Sequence, residues 1–156
     1  MRRLTTLLGG MIALCGSGCA WAQVPLEPTA SFLGEQPEDW AGRTAIVGDV
    51  DGDGLDDMLV GVIYNGENGY HAGQVYLVLG RETGWTMDTG LDQVDASFMG
   101  EDEQYSAGMC ISRAGDVNAD GFDDFLIGSN SSELYYNSGE IYLILGRETG
   151  WQMDVV

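Results

Sequence analysis

Two copies of an aspartate-rich loop contain the residues whose types and spacing most clearly indicate chemistry. The stretch GDVDGDGLDD occupies residues 48–57, and GDVNADGFDD occupies residues 115–124. Counted from its first aspartate, each copy has oxygen-bearing side chains at alternate positions and a glycine at position 6, where the backbone can reverse sharply. Calcium takes about six to eight oxygen ligands at roughly 2.3–2.6 Å. The pattern therefore predicts two calcium sites.

The two loops offer the same set of ligands, namely the side chains at positions 1, 3, 5 and 9 and the backbone carbonyl at position 7. In the first loop these residues are Asp49, Asp51, Asp53, Leu55 and Asp57. In the second loop they are Asp116, Asn118, Asp120, Phe122 and Asp124. The acids at position 8, Asp56 and Asp123, are predicted to point outward. Because ligand charge raises calcium affinity, we expect the first loop, with four carboxylates against three, to bind more tightly.

The loops have two alternative interpretations. An EF-hand-type loop needs an acidic ligand at position 12, where the chain has Val60 and Ile127. Both residues lie in apolar stretches with strand character, so a shorter loop between two strands fits better. A solvated Asp-Gly turn without metal is the second alternative, and the same ligand spacing in two copies argues against it.

The loops belong to a longer repeat. At an offset of 66 residues, ASFLGE matches ASFMGE and GQVYLVLGRETGWTMD matches GEIYLILGRETGWQMD. Short β-branched and aromatic segments bounded by glycine predict strands in each unit. The predicted strands are residues 41–49, 57–64, 74–80 and 97–101 in the first unit, and 107–116, 124–129 and 140–146 in the second. Both alternate faces of the segment 74–80 are apolar, which is typical of a sheet covered on both sides.

Repeated four-stranded antiparallel sheets that are covered on both faces are typical of β-propeller blades. The chain resembles the FG-GAP repeats of the integrin α-subunit propeller and its exported bacterial relatives, whose blades carry a DxDxDGxxD loop between their first two strands. The usual Phe-Gly of that family is replaced by Ala41-Gly42. The resemblance implies an all-β fold with two four-stranded antiparallel blades, about residues 36–101 and 102–156. The strand at 29–35 is expected to belong to a neighbouring or closing blade.

Two blades make an incomplete propeller, because closed rings have roughly four to eight blades. One explanation is that the sequence is a fragment of a longer propeller that supplies further blades. The other is a homo-oligomer, in which the strand at 29–35 of one copy completes the last blade of another and so closes the ring. The sequence leaves both explanations open.

Residues 1–22 have the features of a bacterial-type secretory signal peptide: a basic start, a short apolar run and the cleavage site AWA. We therefore expect a protein that is secreted or held at the cell surface or in the periplasm. The alternative for this segment, a transmembrane anchor, would need roughly 20 apolar residues, and the apolar run is far shorter. No membrane span is expected after cleavage. Cleavage leaves Cys110 as the remaining cysteine, predicted to be a small buried residue in a strand.

The charge of the chain excludes two classes of partner. The formal net charge is −19 at pH 7, and the sequence has no lysine. Because contacts to phosphate groups come from Lys and Arg, we expect neither nucleic acid nor an anionic membrane surface as a partner. Divalent cations, in contrast, would offset the repulsion between so many carboxylates.

The resemblance implies a calcium-binding module for ligand, surface or cell-adhesion recognition, with a protein or a glycan as ligand. The segments 64–71 and 131–137, rich in Tyr and Asn, are candidate contact loops, with ordinary hairpin connections as the alternative. The only histidine, His71, lies near no nucleophile motif, so no catalytic residue is predicted. The alternative function is a non-catalytic fragment or accessory part of a larger secreted enzyme or multi-blade propeller.

The two GRETGW segments are the most literal repeat in the sequence. Their tryptophans, Trp85 and Trp151, are predicted to pack between neighbouring blades rather than to form a ligand platform. Their arginines, Arg81 and Arg147, are predicted to pair with nearby acids.

Overall fold

The computed structural model describes residues 27–130 and 138–156, so the predicted signal peptide at 1–22 and the candidate contact loop at 131–137 lie outside the described residues. The described ranges contain strands, one 3-10 turn at Leu91–Gln93 and no α-helix. The strands are β1 (Phe32–Leu33), β2 (Ala41–Gly48), β3 (Asp57–Val62), β4 (Gln74–Val78), β5 (Thr89–Gly90), β6 (Ala96–Met99), β7 (Cys110–Gly115), β8 (Asp124–Ser129) and β9 (Glu140–Ile144). Within these ranges no helix has the length and apolar character needed to cross a membrane.

Strands β2, β3, β4 and β6 form one antiparallel sheet in that order, which confirms the predicted all-β blade. Its first turn is the first aspartate loop, because Gly48 at the end of β2 pairs with Asp57 at the start of β3. Strands β3 and β4 are almost entirely buried, as their apolar faces predict. β3 ends at Val62, earlier than predicted, because the N–H of Asn65 donates to the carbonyl of Val62 (3.2 Å) and turns the chain.

Within the described residues, strands β7, β8 and β9 form a second antiparallel sheet. This sheet has three of the four strands that a complete second blade would have. The segment that follows β9 runs along β6 of the first blade instead. The N–H of Ser97 donates to the carbonyl of Gln152 (3.1 Å), and the N–H of Met99 donates to that of Val155 (2.8 Å). The fourth strand of the first blade therefore joins the two sheets.

The main apolar core lies between the two sheets. Val75 and Leu77 of β4 are fully buried there beside Phe125 of β8. The ring of Phe125 meets Phe98 edge to face at 5.7 Å between centroids and stacks on Trp151 at 6.2 Å. The position of Trp151 in this core confirms the prediction that it packs between blades. Burial of such apolar surface is the dominant favourable contribution to folding.

The prediction that Cys110 is buried is wrong. Cys110 begins β7 and pairs with Gly128 of β8, yet its side chain is exposed. The reason is the place of β7, which in the described residues pairs with β8 alone and has a mostly exposed surface. Alternation of apolar and polar residues identified the strand correctly but not which of its faces is covered.

Candidate calcium loops and ligand cleft

The first aspartate loop brings three predicted ligands together. Oxygen atoms of Asp49, Asp51 and Asp57 all lie within 4.8 Å of one another. Both carboxylate oxygens of Asp49 accept hydrogen bonds from within the loop, from the N–H of Gly52 (2.7 Å) and of Gly54 (2.9 Å). Gly54 has a φ of +89°, the left-handed conformation that glycine adopts most easily. These bonds wrap the backbone around the carboxylates.

Asp53 lies on the exposed side of the first loop, and Leu55 is partly buried. Asp53 is exposed, lies outside the group of three carboxylates, and accepts a hydrogen bond from the N–H of Leu55 (2.8 Å). Participation of the Asp53 side chain and the Leu55 carbonyl in metal binding therefore stays a prediction.

Asp57 fixes the first loop to the sheet. Its two carboxylate oxygens accept hydrogen bonds from the N–H groups of Val50 (2.7 Å) and Gly80 (2.6 Å). Burial raises the pKa of Asp57 to about 6, although these two hydrogen bonds act in the opposite direction. Burial also raises the pKa of Asp51. A carboxylate that is costly to ionise in isolation gains most from a neighbouring cation.

The second loop repeats this construction. The carboxylate of Asp124 accepts hydrogen bonds from the N–H groups of Val117 (2.8 Å) and Gly146 (2.8 Å), which are the equivalents of Val50 and Gly80. Its buried position matches that of Asp57 in the first loop.

The remaining side chains of the second loop also bond inward. Asp116 accepts from the N–H groups of Asp120 (3.1 Å) and Gly121 (3.0 Å). Asn118 takes the place of a carboxylate, and its amide donates to Asp120 (2.7 Å). Asp120 in turn accepts from the N–H of Phe122 (3.0 Å). Of these bonds, that between Asn118 and Asp120 joins two predicted ligand side chains directly, and among the described residues the close grouping of three carboxylates is found in the first loop alone.

Asp123 does not point freely outward, and that prediction is wrong. Its carboxylate accepts from Arg113 (2.7 and 2.9 Å) and from the N–H of Asp49 in the first loop (3.1 Å). The N–H of Asp123 donates to the carbonyl of Asp49 (2.9 Å). The ring of Phe122 lies so close to Gly52 that an added Cβ there would be 2.7 Å from it. Asp123 is drawn inward because it pairs with Arg113 of its own sheet and bonds to Asp49 beside the neighbouring sheet. Asp56, its equivalent in the first loop, is exposed.

The chemistry of the donor set fits calcium, which prefers hard, negatively charged oxygens. Both loops present carboxylates on a backbone that is already closed by hydrogen bonds, so little reordering is needed on binding. Bound calcium would neutralise the mutual repulsion of these carboxylates and hold each hairpin turn.

A cleft of about 940 Å³ opens at the other end of the first blade. The aspartate loop lies where Gly48 pairs with Asp57, whereas the cleft lies beyond the opposite end of the same two strands, where Ala41 pairs with Val62. It is built from the segment before β2 and the connection from β3 to β4, residues 35–40 and 64–71. The second of these segments is a predicted contact loop.

Four rings form a continuous aromatic surface in this cleft. Trp40 meets Tyr64 edge to face (5.1 Å), Tyr64 contacts His71 (4.6 Å), and His71 stacks on Tyr70 (3.8 Å). Trp40 is 70% exposed and Tyr70 is 64% exposed. Trp40 and His71 both have φ of +58°, a conformation uncommon for such residues and often found at functional sites.

Carboxylates surround the aromatic surface. Glu35, Glu38, Asp39 and Glu67 line the cleft, whose described lining contains no Lys or Arg. Glu35 accepts a hydrogen bond from the hydroxyl of Tyr76 (2.8 Å), and burial raises the pKa of Glu35. The contribution of Trp40 was missed from sequence. The only available sign was its place just before the first strand, at the same end of the sheet as the 64–71 loop.

The fold and these two sites define a β-propeller repeat protein. A family model of the FG-GAP repeat matches residues 41–78, which contain β2, the first aspartate loop, β3 and β4. Integrin alpha-PS2 of Drosophila melanogaster is 35% identical over 108 residues, which are 64% of this chain and 7% of that protein. Integrin alpha-8 of Mus musculus is 34% identical over 103 residues, 63% of this chain and 9% of its own length.

Similarity to a third relative extends further along the chain. Integrin alpha-PS5 of Drosophila melanogaster is 27% identical over 122 residues, 76% of this chain and 11% of that protein. The matched part of the chain therefore spans only 7–11% of the length of these three relatives. The chain thus contains a segment that matches the FG-GAP repeat, and about two thirds of its length is similar to integrin α chains.

Proposed function

We propose that this chain is an exported, calcium-stabilised β-propeller module that recognises a protein or glycan ligand and has no catalytic activity of its own. The observation that carries the proposal is the separation of two chemistries at opposite ends of one blade. Hydrogen-bonded carboxylates occupy the β2–β3 turn, and an exposed aromatic cleft occupies the other end.

The aspartate loops support a structural role for calcium. Asp57 and Asp124 bond to the N–H groups of Gly80 and Gly146, just after the third strand of each blade. Calcium held by either loop would therefore tie three consecutive strands of a blade together. A metal so placed stabilises the turn, and its site lies far from the aromatic cleft along the strands.

The cleft supports ligand recognition. Exposed aromatic rings supply contact area at little cost in conformational entropy, and adjacent carboxylates accept hydrogen bonds from hydroxyl or amide groups. The imidazole of His71 packs between Tyr64 and Tyr70, so a packing role accounts for this residue. We assign none of these residues to catalysis.

The domain boundaries follow from the same proposal. Residues 1–22 act as a signal peptide, residues 36–101 form blade one, residues 102–156 form blade two, and residues 29–35 belong to a neighbouring blade. Further blades or further copies complete the ring. The alternative is that the chain is a non-catalytic part of a larger secreted enzyme or propeller, an idea supported by the much greater length of its relatives.

Binding to a glycan array and to a panel of immobilised extracellular matrix proteins, in buffer with calcium, tests the proposed function. We expect the full chain to bind at least one member. Trp40→Ala and Tyr70→Ala should each weaken that binding by about tenfold or more, as for aromatic residues at the centre of an interface.

Met87→Ala is the matched control, because Met87 is also exposed but lies outside the cleft. Binding that is equally strong in all three variants would show that the cleft is not the recognition surface. Absence of binding to every probe would remove the support for recognition of these two ligand classes.

A further inference from the structure

The fourth strand of the first blade holds the second blade through a distinctive set of contacts. In β6, Ser97 exchanges backbone hydrogen bonds with Gln152 and Val155 (3.1 Å each). The hydroxyl of Ser97 donates to the carboxylate of Asp154 (3.0 Å) and accepts from its N–H (2.7 Å). These contacts lie on one edge of β6, and its other edge pairs with β4.

Ser31, the residue just before strand β1, makes the same contacts with the first blade. Ser31 exchanges backbone hydrogen bonds with Thr86 (3.3 Å) and Thr89 (2.9 Å). Its hydroxyl donates to the carboxylate of Asp88 (3.2 Å) and accepts from its N–H (2.6 Å). Every partner stands 66 residues before its equivalent in the second blade. The segment that contains β1 therefore contacts blade one in the same way that β6 contacts blade two.

A pair of tyrosine–glutamate hydrogen bonds extends the equivalence. The hydroxyl of Tyr142 in β9 donates to Glu101, just beyond β6 (3.0 Å). The hydroxyl of Tyr76 in β4 donates to Glu35, just beyond β1 (2.8 Å). β1 thus has the position of a fourth strand, while within the described residues it pairs with β5 alone.

Strand β9 offers the edge that such a fourth strand needs. In the described ranges β9 pairs only with β8, whereas its equivalent β4 pairs with β3 and β6. On its uncovered face Ile141 is 72% and Leu143 is 47% exposed. The equivalent residues Val75 and Leu77 are 0% exposed, because the second blade covers them. Strand β9 therefore has an edge that can pair with a fourth strand and an apolar face that another blade can cover. The first blade of another copy has both partners, namely β1 as the strand and its own sheet as the cover.

We propose that β1 of a second copy of this chain adds to β9, so that the second blade of one copy packs on the first blade of the next. The β4–β6 register transfers directly to this contact. It pairs Glu140 with Leu33, Ile141 with Phe32, Tyr142 with Ser31 and Leu143 with Ala30. The contact is head-to-tail, so repetition closes a ring of about two to four copies with roughly four to eight blades. This inference rests on the proposed propeller module and names its partner.

The two repeats differ at one position of the proposed contact, and this difference allows the strength of the contact to be changed by mutation. In the first blade the side-chain amide of Gln74 donates to Ser97 (2.9 Å) and Asp154 (3.0 Å). Glu140 stands at the equivalent position in β9 and would face Ser31 and Asp88 of the next copy. An ionised carboxylate cannot donate these bonds, and it would repel a second carboxylate. Glu140→Gln should therefore tighten the contact.

Sedimentation velocity of the full chain with calcium, over a range of concentrations, measures the self-association. We expect association that rises with concentration and a dissociation constant about tenfold lower in Glu140→Gln, the effect of roughly one good hydrogen bond. Ile141→Asp should keep the chain monomeric, because it places a charge at the centre of the apolar face. A chain that stays monomeric in the wild type and in Glu140→Gln would overturn the proposal.

A disulfide test reports the register. In a Cys110→Ser background, the pair Phe32→Cys and Ile141→Cys should link different copies under mild oxidation. The control pair Leu33→Cys and Ile141→Cys is shifted by one residue, which turns the two side chains to opposite faces of the sheet. Equal linking of both pairs would contradict this strand addition.

The outcomes separate this inference from the proposed function. Ile141→Asp should retain calcium binding and binding to the probe panel at the level of the wild type. Self-association without calcium or probe binding would leave the strand addition standing and overturn the proposed function. Calcium and probe binding by a chain that stays monomeric would support the proposed function and overturn the strand addition.

Discussion

Asp123 in the second aspartate loop and Asp49 in the first are joined by two hydrogen bonds. The N–H of Asp123 donates to the carbonyl of Asp49 (2.9 Å), and the N–H of Asp49 donates to the carboxylate of Asp123 (3.1 Å). Asp49 is a predicted calcium ligand, and Asp123 precedes another, Asp124. The two loops therefore form one connected unit across the boundary between the sheets.

Asp123→Ala should destabilise the fold and weaken calcium binding at the first loop. The variant removes the acceptor for the N–H of Asp49 and for Arg113, so we expect the free energy of unfolding to fall by about 1–3 kcal/mol. Calcium affinity of the first loop should fall several-fold, because Asp49 loses one of its two hydrogen bonds to the second loop. Asp56→Ala is the matched control at the same loop position, and its exposed side chain should matter little. Urea unfolding and calorimetric titration check both; equal effects in the two variants would contradict the coupling.

The charge difference between the loops predicts a difference in affinity. Asp51→Asn removes one of four carboxylates from the first loop and should weaken its calcium binding. Asn118→Asp adds a fourth carboxylate to the second loop and should strengthen it. Calcium titration of the two variants against the wild type measures the change. Affinities that stay the same in both would rule out charge as the determinant.

The raised pKa of Asp57 predicts that the Tm changes with pH in opposite directions with and without calcium. Burial raises its pKa from 3.8 to about 6, so the protonated form stabilises the fold below about pH 4. This contribution is lost as the pH rises through about 6. With a chelator, the Tm of the wild type should therefore fall across this window more than that of Asp57→Asn. With calcium the wild-type Tm should rise, because the metal binds the ionised form. The same pH profile in Asp57→Asn would exclude Asp57 as the source.

The close approach of the two blades at Gly146 predicts a severe effect of a small side chain. A Cβ added to Gly146 would press on the carbonyl oxygen of Asp123 and lie 2.9 Å from the carbonyl oxygen of Val50. Gly146→Ala should lower the free energy of unfolding by about 1–3 kcal/mol through overpacking. Gly42→Ala is the control, since a Cβ there meets nothing within 4 Å. Thermal unfolding compares them, and similar Tm values would mean that the blades can separate at this point.

Local chemistry allowed much of the blade to be predicted from sequence. The Asp-Gly pattern located the β2–β3 turn, and the apolar run QVYLV located β4 as a strand buried on both faces. Both features are set by residues that are close together in the chain. The 66-residue repeat then predicted the second sheet from the first.

Contacts between blades were not predictable in the same way. Asp123 reaches a partner 74 residues away in the sequence, so no local pattern distinguishes it from the exposed Asp56. Trp40 joins Tyr64 only because the pairing of β2 with β3 brings their ends together. The exposure of Cys110 depends on which face of β7 is covered, and strand alternation carries no information on that.

Calcium titration by calorimetry is the most direct test of the central claim that the two aspartate loops bind calcium and thereby stabilise the blades of this propeller module. We expect two bound calcium ions per chain and a Tm that rises with calcium. Asp57→Asn should greatly weaken binding at the first loop and leave a single strong site, with most of the thermal stabilisation from that loop lost. A chain that binds no calcium, or that binds it with unchanged stoichiometry and affinity in Asp57→Asn, would contradict this role of the aspartate loops.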